Sequence, residues 1–254
     1  MNYREMAGKV FHPFLLARLE KFGLEQPNKG EVHAWSTSLE ADENTLRSLS
    51  SNLSTDELFR ANRFNSGLHR RRFIVARSTL RVLISRYLNC EISSIELITD
   101  AKGKPSVKKP TTKLTFNVSH SHELALYGFG SSRAIGIDVE RVRTDVSELA
   151  LAKRFFSTDE IEKIESLSDK DRRKAFFSCW TRKEAYLKAH GIGIGGGLKS
   201  FSVTCGDDEE VRLIKGAGVE NWEMLALIPD SKYTAAICVE GKGFDISCRR
   251  LKQE

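Results

Sequence analysis

Two acidic side chains interrupt an otherwise apolar run, "AIGIDVERV" at residues 134–142. Read with the period of a strand, Ile135, Ile137 and Val139 point one way while Gly136, Asp138 and Glu140 point the other. A strand rises roughly 3.3 Å per residue, so the two carboxylates leave the backbone about 6 to 7 Å apart and can lean toward a common point. A third carboxylate, Glu184, lies in "KAFFSCWTRKEAYLKAHG", where helical spacing sets it on a stripe with Phe177, Trp180 and Leu187. Taken alone, Glu184 asks for no more than its i, i+4 neighbour Lys188, a pairing of about 0.2–0.5 kcal/mol on an exposed helix. Taken together, three carboxylates aimed at one place repel unless a cation neutralises them. Oxygen-only ligands suit magnesium, which keeps several waters and completes its octahedron with substrate phosphates. The sharp reading is a site for magnesium and phosphate built on Asp138, Glu140 and Glu184.

Other stretches carry groups suited to phosphate. "FNVSHSHEL" reads as a strand ending in Asn117, Ser119 and His120, followed by a new strand at "LALYGFG". "DAKGKPSV" holds Lys102 and Lys104 around a glycine before Pro105, an extended turn carrying point charges. Several decoys are set aside. His120 and His122 could form a zinc pair, but no further cysteine or histidine stands at a usual ligand spacing, and His122 reads as a loop residue. "GIGIGGGL" contains a G-x-G-x-x-G at Gly191, Gly193 and Gly196, yet it follows a helix and precedes the strand-like "FSVTC", the reverse of the dinucleotide-binding context. Gly191 reads as a helix C-cap and the rest as a loop. Cys179, inside an aromatic run, reads as a small buried apolar group.

These side chains need a frame to hold them. The 254 residues suffice for one large domain or two modest ones, and 40% hydrophobic with 29% charged residues is a globular composition that excludes disordered and fibrous classes. The net charge of +6 points to an anionic partner, whether nucleic acid, a phosphorylated cofactor or an acidic protein. Five cysteines without a C-x-x-C pair indicate neither a disulfide framework nor a zinc ribbon and fit a reduced, cytoplasmic setting. No apolar run approaches the roughly 18 residues of a membrane span. "MNYREMAGKVFHPFLLARLEKF" reads as the start of an N-terminal arm over 1–30, with a processed organelle address as the alternative.

After the arm, "VHAWSTSL" reads as a strand, and "LSTDELFRANRF" opens with Ser54 three residues before Glu57, a capping box. "HRRRFIVARSTLRVLISRYLN" places Phe73, Ala76, Leu80, Leu83 and Tyr87 at three- and four-residue steps, an amphipathic helix of about five turns. The box recurs, since "STDE" at 54–57 returns at 157–160. The coarse layout is α+β, with two halves meeting near Ser131 to Arg133, each with helices beside a small antiparallel sheet. "FSVTC", "VRLIKG", "EMLALIP" and "YTAAICVE" supply strands of the second half.

In this order "FNVSHS", "IGIDVE", "RFFSTDE" and "FFSCWTRKEAYLKAHGIG" resemble the surfactin-synthetase-activating type of 4'-phosphopantetheinyl transferase. The markers of that family are an N-[IV]-S-H strand end, a G-[IV]-D-[IV]-E strand and a W-[ST]-x-K-E-[AS]-x-x-K helix, and the resemblance covers residues 31 to about 240. It implies two pseudo-twofold-related α/β halves, 31–131 and 132–254, each a small antiparallel sheet with helices, the second carrying the metal site and coenzyme A lying between them. It implies transfer of the phosphopantetheine arm of coenzyme A to a serine of an apo acyl or peptidyl carrier protein, with release of adenosine 3',5'-bisphosphate. Carried over by position, Asp138, Glu140 and Glu184 match the magnesium ligands, and Glu184 is also the acceptor for the serine proton. Lys188 matches the lysine at the pyrophosphate, and with Asp138 and Glu184 it completes the catalytic set. Arg60, Lys104, Ser119 and His120 match positions that hold phosphates, and Lys102 and Asn117 join them as cofactor-binding candidates.

One departure stands out. Glu57 occupies a position, three residues before Arg60, where the family has a basic phosphate contact; the capping box explains the acid, and Arg63, Arg71 or Arg72 would then assist Arg60. The expected partners are coenzyme A and acidic carrier domains, with no nucleic acid and no membrane, acting on a monomer. A basic nucleic-acid-binding module would account for the charge and for "HRRRFIVAR" but gives no reason for acids on the "GIDVE" face. An inactive scaffold of the same fold sits poorly with an intact carboxylate set.

Overall fold

The computed structural model describes residues 9–15, 24–193, 197–206 and 210–252. Within them the chain runs nearly the same course twice. Two short strands come first, β1 (Lys9–Val10) and β2 (His12–Leu15). The first pass is β3 (Glu31–Ser38), α1 (Glu43–Ser50), α2 (Thr55–Asn62), α3 (Gly67–Leu88), the pair β4 (Glu96–Thr99) and β5 (Pro105–Lys109), then β6 (Leu114–Ser121) and β7 (Leu124–Ser131). The second is β8 (Ile135–Arg141), α4 (Glu148–Phe155), α5 (Thr158–Glu165), α6 (Asp169–His190), the pair β9 (Ser202–Val203) and β10 (Leu213–Lys215), then β11 (Trp222–Ile228) and β12 (Tyr233–Glu240). The helices measure 8, 8 and 22 residues in both passes. Strand pairing repeats as well, as β3-β7-β6 and as β8-β12-β11.

The recurring "STDE" is a structural echo. Ser54 and Glu57 form a reciprocal capping box at α2, and Ser157 and Glu160 form one at α5. Each capping glutamate also meets a buried cation at the fifteenth position of the long helix. Arg81 Nε donates to Glu57 Oε2 at 2.6 Å and Arg81 Nη1 to the carbonyls of Ile92 and Ile95. Lys183 Nζ lies 2.9 Å from Glu160 Oε2 and donates to the carbonyls of Leu198 and Phe201 at 2.7 and 2.6 Å. Each half thus ties the start of one helix, the middle of another and the turn after it to a single charge.

The two sheets pack face to face with the long helices outside. Ile135, Ile137 and Val139 meet Val32, Ala34 and Leu126 in the layer between the sheets. On the outer faces, Leu80 and Leu83 of α3 pack on Tyr127 and Phe129, and Phe176 and Leu187 of α6 pack on Ala236 and Cys238. Gly128 marks where the sheets come closest, since a Cβ there would lie 3.1 Å from Ile135 Cδ1.

Strand exchange was not visible in the sequence. A final strand, β13 (Asp245–Lys252), pairs in parallel with β3 and with β2, while β1 pairs in parallel with β11. Residues 245–252 therefore belong to the sheet of the first half, and the arm contributes a strand to each sheet. The sheets are antiparallel through their repeated strands but mixed overall. The reason is edge chemistry: β3 and β11 would otherwise expose unpaired N–H and C=O groups. The rest of the arm, 1–8 and 16–23, lies outside the described residues. Among the described residues no helix is long and apolar enough to cross a membrane.

Candidate active site

Asp138 and Glu140 alternate with the buried apolar face of β8, as the spacing predicts, and share the face of Gly136. Gly136 sets the approach of α6. A Cβ at this glycine would stand 2.0 Å from the carbonyl oxygen of Ala185 and 2.3 Å from the amide of Ala189, so the helix lies directly on the strand. That contact carries Glu184 and Lys188, one turn apart on α6, over the acidic face of β8. The helix ends at Gly191, which takes a left-handed φ of 68° and returns its N–H to the carbonyls of Leu187 and Lys188. Lys104 closes the same end: its Nζ donates to the carbonyls of Lys188, Ala189 and Ile135 at 2.6, 3.0 and 3.2 Å. An ammonium there complements the negative end of the helix dipole, and all three of its protons are engaged.

The outer edge of β8 runs beside β6, where side chains replace the backbone ladder. Asn117 Oδ1 accepts the Ile137 N–H at 3.0 Å, Ser119 Oγ the Val139 N–H at 3.4 Å, and Ser121 Oγ the Arg141 N–H at 3.2 Å. Both strands advance by two residues at each step, so polar residues at alternate positions of "NVSHS" meet successive outward amides of β8. The two hydroxyls also donate, Ser119 to Asp138 Oδ1 and Ser121 to Glu140 Oε2, each at 2.8 Å. Lys188 Nζ joins from above, 2.6 Å from Asp138 Oδ1, 2.9 Å from Ser119 Oγ and 3.4 Å from the Ile137 carbonyl. In place of the i, i+4 pairing that Glu184 taken alone would ask for, Lys188 is bound to Asp138.

Two carboxylate oxygens remain buried without a partner, Asp138 Oδ2 and Glu184 Oε1. Such atoms are costly unless something positive meets them. Burial, reinforced by the charges of Asp138 and Glu140 and opposed by Lys188, pushes the Glu184 carboxyl up to about 7. Burial also raises the Glu140 carboxyl, against the hydrogen bond from Ser121. An all-oxygen set with orphaned buried oxygens and a carboxyl held near neutrality fits a hard divalent cation. The three carboxylates do not form a closed cage. The only ligand-type trio whose atoms all lie within 4.8 Å of one another, among the described residues, is Glu160, Cys179 and Cys205. That trio is structural, because Ser157 N–H, Val203 N–H and Lys183 already occupy Glu160, and burial holds the Cys179 thiol well above its usual range, protonated.

A cleft of about 370 Å³ opens beside Glu184, the one of the three carboxylates that lines it, and brings together Lys102, Lys104, Asn117, Glu184, Leu187 and Lys188. His120 stands at the end of β6; partial withdrawal from water and the nearby Lys188 charge lower its pKa. Arg60 lies on α2 with its guanidinium 5.2 Å from the centre of the Phe73 ring. Of its expected helpers, Arg71 pairs with Glu43 and Arg72 with Glu123. Glu57 is occupied by its capping box and by Arg77 and Arg81, which accounts for an acid at that position. His122 occupies the tight turn after β6 with φ 53°. In "GIGIGGGL" residues 194–196 lie outside the described residues. Sequence reasoning missed Ser121 and Lys183. The period-two pattern shared with Asn117 and Ser119 was the available signal for the first, and the apolar neighbours Phe176, Cys179 and Leu187 for the second.

A doubled α+β fold with an acid-and-lysine cluster on its seam defines a class, and comparison with known families gives it a name. The family model of the 4'-phosphopantetheinyl transferase superfamily matches residues 134–238, and that of the 4'-phosphopantetheinyl transferase N-terminal region matches 34–128; the chain belongs to this superfamily. It is 40% identical over 216 residues to the 4'-phosphopantetheinyl transferase HetI of Nostoc sp., covering 84% of this chain and 90% of that protein. It is 32% identical over 153 residues to psf-1 of Bacillus pumilus, covering 60% of this chain and 64% of that protein. To Sfp of Bacillus subtilis it is 34% identical over 134 residues, covering 53% and 58%. Within the superfamily it is a phosphopantetheinyl transferase of the Sfp type.

Proposed function

We propose that this protein moves the 4'-phosphopantetheine of coenzyme A onto a serine of an apo acyl or peptidyl carrier protein, using magnesium held by Asp138, Glu140 and Glu184. The observation that carries the metal assignment is the pair of orphaned buried oxygens, Asp138 Oδ2 and Glu184 Oε1, beside a cleft flanked by lysines. A magnesium ion bound there supplies positive charge against the diphosphate of coenzyme A. The chain's own groups do the rest. The serine oxygen attacks the phosphorus that bears the pantetheine arm, and the bond to the adenosine 3',5'-bisphosphate leaving group breaks. Glu184 accepts the serine proton. Lys188, which reaches both strands of the seam, stabilises charge on the departing phosphate.

The cleft of about 370 Å³ takes the coenzyme, with Asn117 and Val118 along one wall; Ser119 and His120 follow on the same strand, where His120 meets a phosphate as a neutral imidazole. Lys104 contributes chiefly by fixing the end of α6 that forms the opposite wall. Lys102 and Arg60 offer charge to the remaining phosphates. A net charge of +6 complements acidic carriers, and because one chain supplies both halves of the site the protein acts as a monomer in the cytoplasm. The test is to mix the protein with coenzyme A, magnesium and an apo carrier and weigh the carrier. One phosphopantetheine mass is gained, the gain is lost with EDTA and returns with added magnesium, and Asp138→Ala abolishes it. Unchanged mass on both acyl and peptidyl carriers would refute the reading.

A further inference from the structure

The side-chain seam between β6 and β8 contains the same two-point contact twice. At each step one serine hydroxyl accepts a backbone N–H of β8 and donates to the preceding carboxylate. Ser119 joins Val139 N–H to Asp138, and Ser121 joins Arg141 N–H to Glu140. We infer that Ser121 is a positioning residue for metal binding, fixing Glu140 so that one carboxylate oxygen is held by the hydroxyl and the other is free for the cation. The inference rests on the magnesium site of the proposed function.

The proton count fixes the direction of this contact. A hydroxyl has one proton and two lone pairs. The Arg141 amide, 3.2 Å away, has only a proton to give and must use a lone pair of Ser121. His122 Nδ1, at 3.3 Å, uses the second lone pair when it carries its proton. The one hydroxyl proton is left for Glu140 Oε2 at 2.8 Å. Ser121 is itself only 7% exposed, so the contact is sheltered from competing water. Asp138 differs, since it has both Ser119 and Lys188 to hold it. Glu140 is longer, lies nearer the end of the strand and is half-buried, so losing its hydroxyl partner frees more torsions. Ligands whose outer partners are removed bind metal about 10 to 100 times more weakly.

The experiment is a calorimetric titration of magnesium into the protein saturated with coenzyme A, without carrier, so that no turnover occurs. Ser121→Ala is expected to weaken magnesium binding about tenfold or more, and Ser121→Thr, which keeps the hydroxyl, to bind within about threefold of the parent. In a Glu140→Gln background the same Ser121→Ala change is expected to add less than about twofold, because the effect runs through Glu140. Thermal melts without metal check that each variant is folded. Parent-like affinity in Ser121→Ala would overturn the assignment, as would an undiminished loss in the Glu140→Gln background, which would show that Ser121 acts only through the backbone of β8. A parent protein that takes up no magnesium would bring down the magnesium site itself, and this inference with it.

Discussion

Glu184 gives a test in which stability and function move in opposite directions. Its carboxyl titrates near 4.5 when unfolded and is pushed up to about 7 in the fold, mainly by burial. Between those values the folded chain holds more protons than the unfolded one, so stability falls as pH rises through this window and stays lower above it. The gap, at about 1.4 kcal/mol per pH unit, amounts to roughly 3 kcal/mol at pH 8 and under about 1 kcal/mol at pH 5. Glu184 is 7% exposed, so solvent screening removes little of this. Glu184→Gln keeps the shape and deletes the titration. In EDTA the variant and its parent should melt within about 2–3 °C of each other at pH 5. At pH 8 the variant should melt higher by roughly 6–12 °C, using about 2–4 °C per kcal/mol for a chain of this size. Differential scanning calorimetry at the two pH values measures this directly, and comparing variant with parent cancels the titrating groups that do not interact with Glu184. An equal gap at both pH values, or a variant less stable at pH 8, would refute the electrostatic account. The same variant should lose carrier modification, because the oxygen that costs stability is the one assigned to the metal.

Two further substitutions probe the frame. Gly136→Ala forces a Cβ to within 2.0 Å of the α6 backbone and should cost more than about 4 kcal/mol, read as loss of the soluble, protease-resistant form, whereas Gly67→Ala, with nothing within 4 Å, should leave the melt within about 2 °C. Lys183→Met removes the counter-charge of buried Glu160, which keeps only the Ser157 and Val203 N–H groups, and takes the lysine from two carbonyls; it should cost about 3–5 kcal/mol in urea unfolding, with part of that recovered when Glu160→Gln is added, and an additive double variant would exclude the pairing.

That Asp138, Glu140, Glu184 and Lys188 share faces was legible because period two and the i, i+4 step leave direct traces in sequence. "GIDVE" and "WTRKEAYLK" state which side chains share a face, and the structure adds which faces meet. That addition depends on Gly136, whose meaning is a distance between elements and has no local signature. The contact of Lys188 with Asp138 was hidden for a related reason: helical neighbours are visible in sequence, whereas Asp138 becomes a neighbour only after α6 docks. The exchange of β1 and β13 escaped because β1 is only two residues long and nothing in "FDISCRRLK" says that it pairs with residues more than 200 positions away. The contact of Lys104 with the end of α6 was not legible, because a lysine in a polar turn has no visible partner until that helix end arrives.

The repeat separates frame from chemistry. Both long helices have 22 residues, and their fifteenth positions, Arg81 and Lys183, do the same structural task with a capping glutamate and two carbonyls. One residue later the halves diverge, with Val82 in α3 and Glu184 in α6. The strands diverge too. The outer edge of β3 is filled by the backbone of β13, whereas the edge of β8 is met by Asn117, Ser119 and Ser121. A backbone ladder would satisfy the amides of β8 equally well, but it would bring no hydroxyl to Asp138 or Glu140. It would also close the gap through which Lys188 reaches Ser119. Where the two copies match, the contacts hold helices and turns together, and where they differ, the new groups all converge on one row of carboxylates. The asymmetry of the seam is therefore what gives a repeated fold a single candidate site.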